Sequence, residues 1–203
     1  MEEKWLTWAK KIQSLSQCGL AYCDNQFDIE RYEAFRALSI EILETYTEVD
    51  THQIKDLFCN ETGYQTPKVD VRGAIFKNDQ ILLVKETQDG KWSMPGGWAD
   101  IGLSVKENVE KEVREEAGMV VHATRLVAMM DWLRSQKNCP FSIYKVFMLC
   151  DIEGGHFMEN IETEAADFFS LETLPPLSHR ITKDTVEMCY AAYRDETWIS
   201  KID

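Results

Sequence analysis

The chain has 203 residues, 44% of them hydrophobic, enough to bury a core in one large domain or two small ones. Its 35 acidic residues against 22 basic ones leave a formal charge of −13, which disfavours a nucleic-acid backbone or an anionic membrane surface as partner. An acidic protein that handles a phosphorylated substrate must solve a local repulsion, and a divalent cation is the usual means.

The N-terminal part reads as helices. Trp5, Trp8, Ala9, Ile12 and Leu15 recur at spacings of three and four. Asp28 is the expected cap of a second run through Tyr32, Phe35, Leu38, Ile42 and Tyr46. Asp50 is the expected cap of a third, shorter helix holding Ile54, Leu57 and Phe58. The start, Met-Glu-Glu-Lys-Trp, has no apolar leader, and no stretch is long and apolar enough to span a bilayer, so a cytoplasmic location is expected. Cys18, Cys23, Cys59, Cys139, Cys150 and Cys189 include no C-x-x-C pair. Most are expected to be small core residues, not zinc ligands or disulfides.

Polar residues punctuated by Gly63 and Pro67 mark a linker. The expected division is a helical domain over 1–60, a linker over 61–68 and a second domain over 69–203. Val69 to Phe76 and Ile81 to Val84 flank an Asn78-Asp79 turn, a hairpin signal. Asp89-Gly90 is a further turn. A helix follows from Ser104 to Ala117, then strands at Leu126–Trp132, Phe141–Ile152 and around Phe168-Phe169, the last ended by Leu174-Pro175-Pro176. Asp184 to Tyr193 is the closing helix. Many strands with few helices suggest an α/β (α+β) arrangement, a mixed sheet between helices.

The 104–117 helix carries the chemistry. Ser104 with Glu107 fits a capping box, and Gly118 fits the left-handed position past the end. Val105, Val109, Val113 and Ala117 form the ridge expected to face the core. At about 100° per residue, Glu112, Glu115 and Glu116 fall within an arc of roughly 100°. They crowd one face in the last turns, where mutual repulsion and the macrodipole both oppose them. Acidic clusters are mostly solvated surface, but a hard dication with a few carboxylate ligands would reverse the sign here.

The context of the helix is Gly96-Gly97-Trp98-Ala99-Asp100-Ile101-Gly102 before it and Lys111-Glu112-Val113-Arg114-Glu115-Glu116-Ala117-Gly118-Met119 at its end. This resembles the Nudix box, written G-x5-E-x7-R-E-U-x-E-E-x-G-U with U apolar. Gly97, Glu112, Val113, Glu115, Glu116, Gly118 and Met119 stand at matching positions, while Leu103 replaces the first Glu and Lys111 the Arg. Trp92 to Gly97 and Phe168 to Pro175 resemble the segments that flank the box, so the resemblance spans roughly 67–195. The N-terminal helices and Gln65 to Arg72 resemble a bacterial subgroup acting on nucleoside diphosphates linked to a second moiety, such as ADP-ribose or CDP-choline.

The resemblance implies a Nudix-type α-β-α sandwich preceded by a small helical domain. It implies a pyrophosphohydrolase using Mg²⁺ or Mn²⁺ held by Glu112, Glu115 and Glu116. Glu112 or Glu164 is the candidate general base, Glu116 belongs to the catalytic set, and Lys111 tethers a glutamate. Lys keeps the charge of the Arg it replaces but loses the fork. Gly97, Trp98 and Arg72 are candidates to bind a small nucleoside diphosphate derivative, with Tyr64 and Trp132 as further aromatic candidates. Helices packing against a partner's Nudix domain make a homodimer the expected assembly. The alternatives are a nucleotide-sugar binding or regulatory module with weak or no catalysis, and a nucleoside triphosphate pyrophosphohydrolase.

Overall fold

The structure is a computed structural model and describes residues 3–47, 63–132 and 142–203. The expected third helix after Asp50, and with it Cys59 and Cys139, lie outside the described residues. The chain divides into two compact units, one of Met1–Lys68 with Asp131–Ile143 and one of Val69–Met130 with Tyr144–Asp203. No helix among the described residues is long and apolar enough to cross a membrane. The four described cysteines are free thiols; Cys150 and Cys189 are buried, whereas Cys18 and Cys23 are partly exposed.

In the first unit, α1 (Lys4–Tyr22) packs on α2 (Gln26–Tyr46) as a helical hairpin. The cap of α2 is Asn25, whose side chain accepts from the Phe27 and Asp28 amides, and not Asp28. Asp28 sits in the first turn, where the helix dipole favours its charge. The face that α1 buries also differs from the expected stripe. Leu6, Ala9, Gln13, Ser16 and Gln17 are buried, while Trp8, Leu15 and Tyr22 remain 58%, 61% and 75% exposed. The contact is sealed by Leu6, Ala9 and Leu43, a Gln13–Ser39 hydrogen bond of 3.3 Å and a stack of Trp5 on Tyr46. Phe27, Phe35 and Leu38 of α2 are likewise exposed. The hairpin thus turns much of its apolar surface outward.

The second unit is built on a seven-stranded mixed sheet. Its strands are β1 (Lys68–Lys77), β2 (Gln80–Glu86), β3 (Trp92–Ser93), β4 (Met119–Asp131), β5 (Ile143–Gly155), β6 (Thr163–Phe169) and β7 (Lys201–Ile202). Their order is β3-β2-β1-β5-β4-β7, with β6 also paired to β2. The β1–β2 hairpin closes through Asn78 and Asp79, both at positive φ, as a two-residue turn requires. β4 starts at Met119, not Leu126: Val121 and Ala123 point inward and His122 and Thr124 outward, a half-buried alternation. β7 was not expected; it is short, exposed, and held by parallel pairing to β4.

Two helices cover the sheet, α3 (Val105–Ala117) and α4 (Lys183–Arg194). Alternation along β1 puts them on opposite faces. Val71 and Ile75 pack in one cluster with Val109 and Val113 of α3, and Phe76 meets the rings of Tyr190 and Tyr193 of α4. This is the α-β-α sandwich.

Candidate active site

The site begins with the ends of α3. Ser104 accepts from the Glu107 amide and Glu107 reaches back to the Ser104 amide, the capping box expected from the sequence. Gly118 closes the helix in the left-handed conformation. The buried ridge is Asn108, Val109, Val113, Glu116 and Ala117; Val105, in the exposed first turn, does not belong to it. Burying Val109 and Val113 against the sheet fixes the rotation of the helix, and that rotation carries Glu116 inward with them.

The loop before α3 is clamped to β1. Val71 N donates to Gly97 O, Gly73 N to Pro95 O, and Ala99 N to Val69 O, all at 2.8–2.9 Å. Clamping aims the Gly96 amide at Glu116, whose Oε2 accepts it at 2.8 Å. It also presses Gly97 against Glu112: a Cβ there would lie 2.6 Å from Glu112 Oε2. A larger residue there would have to push the Glu112 carboxylate, the far end of its side chain, out of this position.

These carboxylates line an open cavity of about 470 Å³, together with Glu86, Glu162, Trp98, Lys111 and Arg180 among others. Five acids face two cations, a surplus of three negative charges. Burial pushes the Glu116 carboxyl up to about 7, against attraction from Arg72 and the Gly96 hydrogen bond, with Glu112 and Glu86 raising it further. Glu112 is also raised, by burial first, and Lys111 opposes the shift. The Lys111 ammonium lies 2.8 Å from Glu115, 3.2 Å from Asp100 and 3.3 Å from Glu112.

Of the residues singled out from sequence, Gly97, Trp98, Lys111, Glu112, Glu115 and Glu116 meet at this cavity. Arg72 does not. It is fully buried, forks onto Asp70 at 2.8–2.9 Å, and donates to Met94 O, so its role is internal. Glu164 is not among the lining residues either: it pairs with Lys85 at 2.8 Å, and its neighbour Glu162 faces the cavity instead. Glu162 stands just before β6, and Glu164 falls at the irregularity where β6 pairing passes from Lys85–Ala165 to Glu86–Thr163. Tyr64 and Trp132 belong to the other unit.

Four contributors carried no usable sequence signal. Glu86, at the end of β2, is buried and paired with Arg180 at 3.0 Å. Asn108 is buried in α3; its Oδ1 accepts from the Asp100 amide at 2.7 Å and its Nδ2 reaches the Leu103 and Ser104 carbonyls. Asn160 donates to the carbonyls of Glu115 and Glu116 and accepts from the Glu162 amide, tying the end of α3 to the loop before β6.

The donor chemistry suits a hard divalent cation. The oxygens are carboxylates, and the raised Glu116 and Glu112 record buried negative charge without enough compensation. Among the described residues, no group of three or more His, Cys, Asp or Glu side chains stands close enough to hold a metal ion as arranged. Lys111 occupies the space among Asp100, Glu112 and Glu115, so a cation would enter with rotation of those side chains.

Residues 66–188, more than half of the chain, match the NUDIX domain. The chain belongs to the Nudix hydrolase family. Residues 3–58 match a second domain, described as a UDP-X-like N-terminal oligomerisation domain. A Bacillus subtilis protein provisionally named an ADP-ribose pyrophosphatase is 45% identical over 179 residues, covering 88% of this chain and 86% of its own length. A crystal structure of an ADP-ribose pyrophosphatase from Streptococcus suis is 50% identical, with a TM-score of 0.63, covering 68% of this chain and all of that one. A UDP-X diphosphatase structure is 31% identical, with a TM-score of 0.65 and 98% of each chain covered.

The Nudix box of this chain departs from its pattern at two positions, and both now have a physical reading. Where the first Glu is expected, Leu103 is partly exposed, and the loop is held instead by Asn108 one turn into α3. Where Arg is expected, Lys111 spreads one ammonium over three carboxylates, which no single forked contact would do.

Proposed function

We propose that this Nudix hydrolase cleaves the diphosphate linkage of a nucleoside diphosphate joined to a second moiety, of the ADP-ribose or CDP-choline type, with Mg²⁺ or Mn²⁺. The observation that carries this reading is Glu116, a buried carboxylate beside Glu112 at the wall of a cavity with surplus negative charge. The names of the related proteins, ADP-ribose pyrophosphatase and UDP-X diphosphatase, support this substrate class.

Glu112, Glu115 and Glu116 would hold the cation, which when bound supplies charge neutralisation for the diphosphate and an acidified water. The chain's own residues do the rest. Without a cation, burial raises the Glu116 carboxyl to about 7, and a bound dication would draw it into the ionised form that a ligand needs. Glu112, pressed on Gly97 and touched by Lys111, is the candidate base. Trp98, half exposed at the cavity, offers a face for a base or sugar. Lys111 pairs with Glu112 and Glu115 and opposes the rise that burial imposes on Glu112.

A homodimer through the N-terminal hairpin is part of the proposal. Trp8, Leu15 and Tyr22 leave one side of α1 apolar and open, and covering such a face is what a partner copy would do. A cytoplasmic location accords with the free thiols.

The test is a turnover panel with Mg²⁺ or Mn²⁺ over ADP-ribose, CDP-choline, UDP-sugars, dinucleotides and deoxynucleoside triphosphates. Release of a nucleoside monophosphate from a nucleoside diphosphate-linked compound is the expected result. Turnover confined to triphosphates, or binding without turnover, would replace the proposal by one of its rivals.

A further inference from the structure

The second cation of the cavity, Arg180, has no part in the α3 carboxylate cluster and comes from the segment between β6 and α4. Its backbone is pinned from several sides. Lys145 Nζ donates to the Arg180 carbonyl at 2.6 Å, Ser178 N to Trp92 O at 2.8 Å, and Ser178 Oγ to Asp89 at 3.0 Å. Ser178 and Ile181, on either side, are buried, while Arg180 itself is partly exposed at the cavity. A pinned backbone presents a partly exposed, charged tip.

The tip is only partly used. Arg180 Nε contacts Glu86 Oε2 at 3.0 Å and Nη2 contacts the neutral Gln88 Oε1 at 3.1 Å. Elsewhere this protein shows what an arginine does when its purpose is to satisfy a carboxylate. Arg72 forks onto both oxygens of Asp70, and Arg194 onto both oxygens of Asp79. Arg180 instead meets its acid through one nitrogen. It shares the rest of that edge with an amide, and no contact among the described residues occupies Nη1. A guanidinium with spare coplanar donors suits a phosphoryl group, with its several acceptor oxygens. In a cavity otherwise dominated by acids, it is also the group best able to favour an anionic ligand.

We propose that Arg180 binds a non-bridging oxygen of the substrate's diphosphate through its free guanidinium edge, and so sets affinity for the anion. Glu86 and Gln88 act as positioning residues that hold the guanidinium plane before the ligand arrives. This inference rests on the reading of the site as one for a nucleoside diphosphate derivative.

The probe is ADP with Mg²⁺, which carries the diphosphate but no second moiety, measured by calorimetry on the full chain. Arg180→Gln should weaken ADP binding about ten- to a hundredfold, the loss of one charged, forked contact. Arg180→Lys, which keeps the charge without the fork, should lose several-fold. On a compound the wild type turns over, the Gln variant should raise KM by the same factor with kcat changed by less than about threefold. The same loss should appear when Arg180→Gln is made in a Glu86→Gln background. Wild-type ADP affinity in the Gln or Lys variant would overturn the proposal. So would disappearance of the loss in the Glu86→Gln background, because Arg180 would then serve only as the counter-ion of Glu86. Should Arg180→Gln not fold, as circular dichroism would show, the Lys variant decides. ADP bound by the wild type and lost in the variants, with no compound of the panel hydrolysed, would sink the hydrolase reading and leave this one standing. No ADP binding by the wild type would sink this one.

Discussion

Replacing Glu116 by Gln should make the metal-free protein more stable at alkaline pH while destroying its metal-dependent turnover. The carboxyl titrates near 7 in the folded chain against 4.5 ordinarily, a difference worth about 3 kcal/mol. Because the folded state holds this proton to higher pH, the cost is absent below pH 4.5. It grows as pH rises from 4.5 to 7 and is complete above 7. Gln is close to the neutral acid in shape, and its amide oxygen still accepts the Gly96 N–H. Part of the gain is offset by a buried amide NH₂ that replaces the acid. The expected gain is therefore about 1–3 kcal/mol at pH 8, shrinking to nothing near pH 4.5. Urea unfolding with EDTA at pH 5 and pH 8 measures it. A Gln variant less stable than wild type by the same margin at both pH values would refute the reasoning, because burial of charge would not be what strains this position.

Gly97→Ala places a methyl 2.6 Å from Glu112 Oε2 and should cut kcat by about tenfold to a hundredfold in steady-state assays while circular dichroism stays unchanged. Asn160→Ala removes the donor to the Glu115 and Glu116 carbonyls and should cost about 1–2 kcal/mol in urea unfolding. Trp8→Glu combined with Leu15→Glu adds charge to the open face of α1 and should convert a dimer to monomer in sedimentation equilibrium.

The layered fold and the α3 carboxylates were legible because local rules set them. A capping box, a glycine stop and an apolar spacing of four specify one helix, and the Asn78-Asp79 turn specifies one hairpin. The face that α1 buries was not legible. Leu6, Ala9 and Gln13 have as good a helical period as the Trp8 line, and only packing against α2 chooses between them. Arg72 could not be oriented, because β1 is buried on both faces and its composition does not alternate. Glu164 and Glu162 differ by two positions, and the irregular pairing at the Glu86 end of β2 decides which one reaches the cavity. Glu86 and Arg180 come from distant segments as single residues, with no spacing to mark them. Their pairing exists only once β2 and the segment before α4 meet.

The account stands on the acidic end of α3 being a cation site. The most direct test is titration of Mn²⁺ into wild type and the Glu116→Gln variant, followed by the loss of the free-ion electron paramagnetic resonance signal at pH 8. Saturable uptake by the wild type, at least about tenfold weaker in the variant, is the predicted result. Equal uptake by both proteins, or none by the wild type even with ADP present, would contradict it.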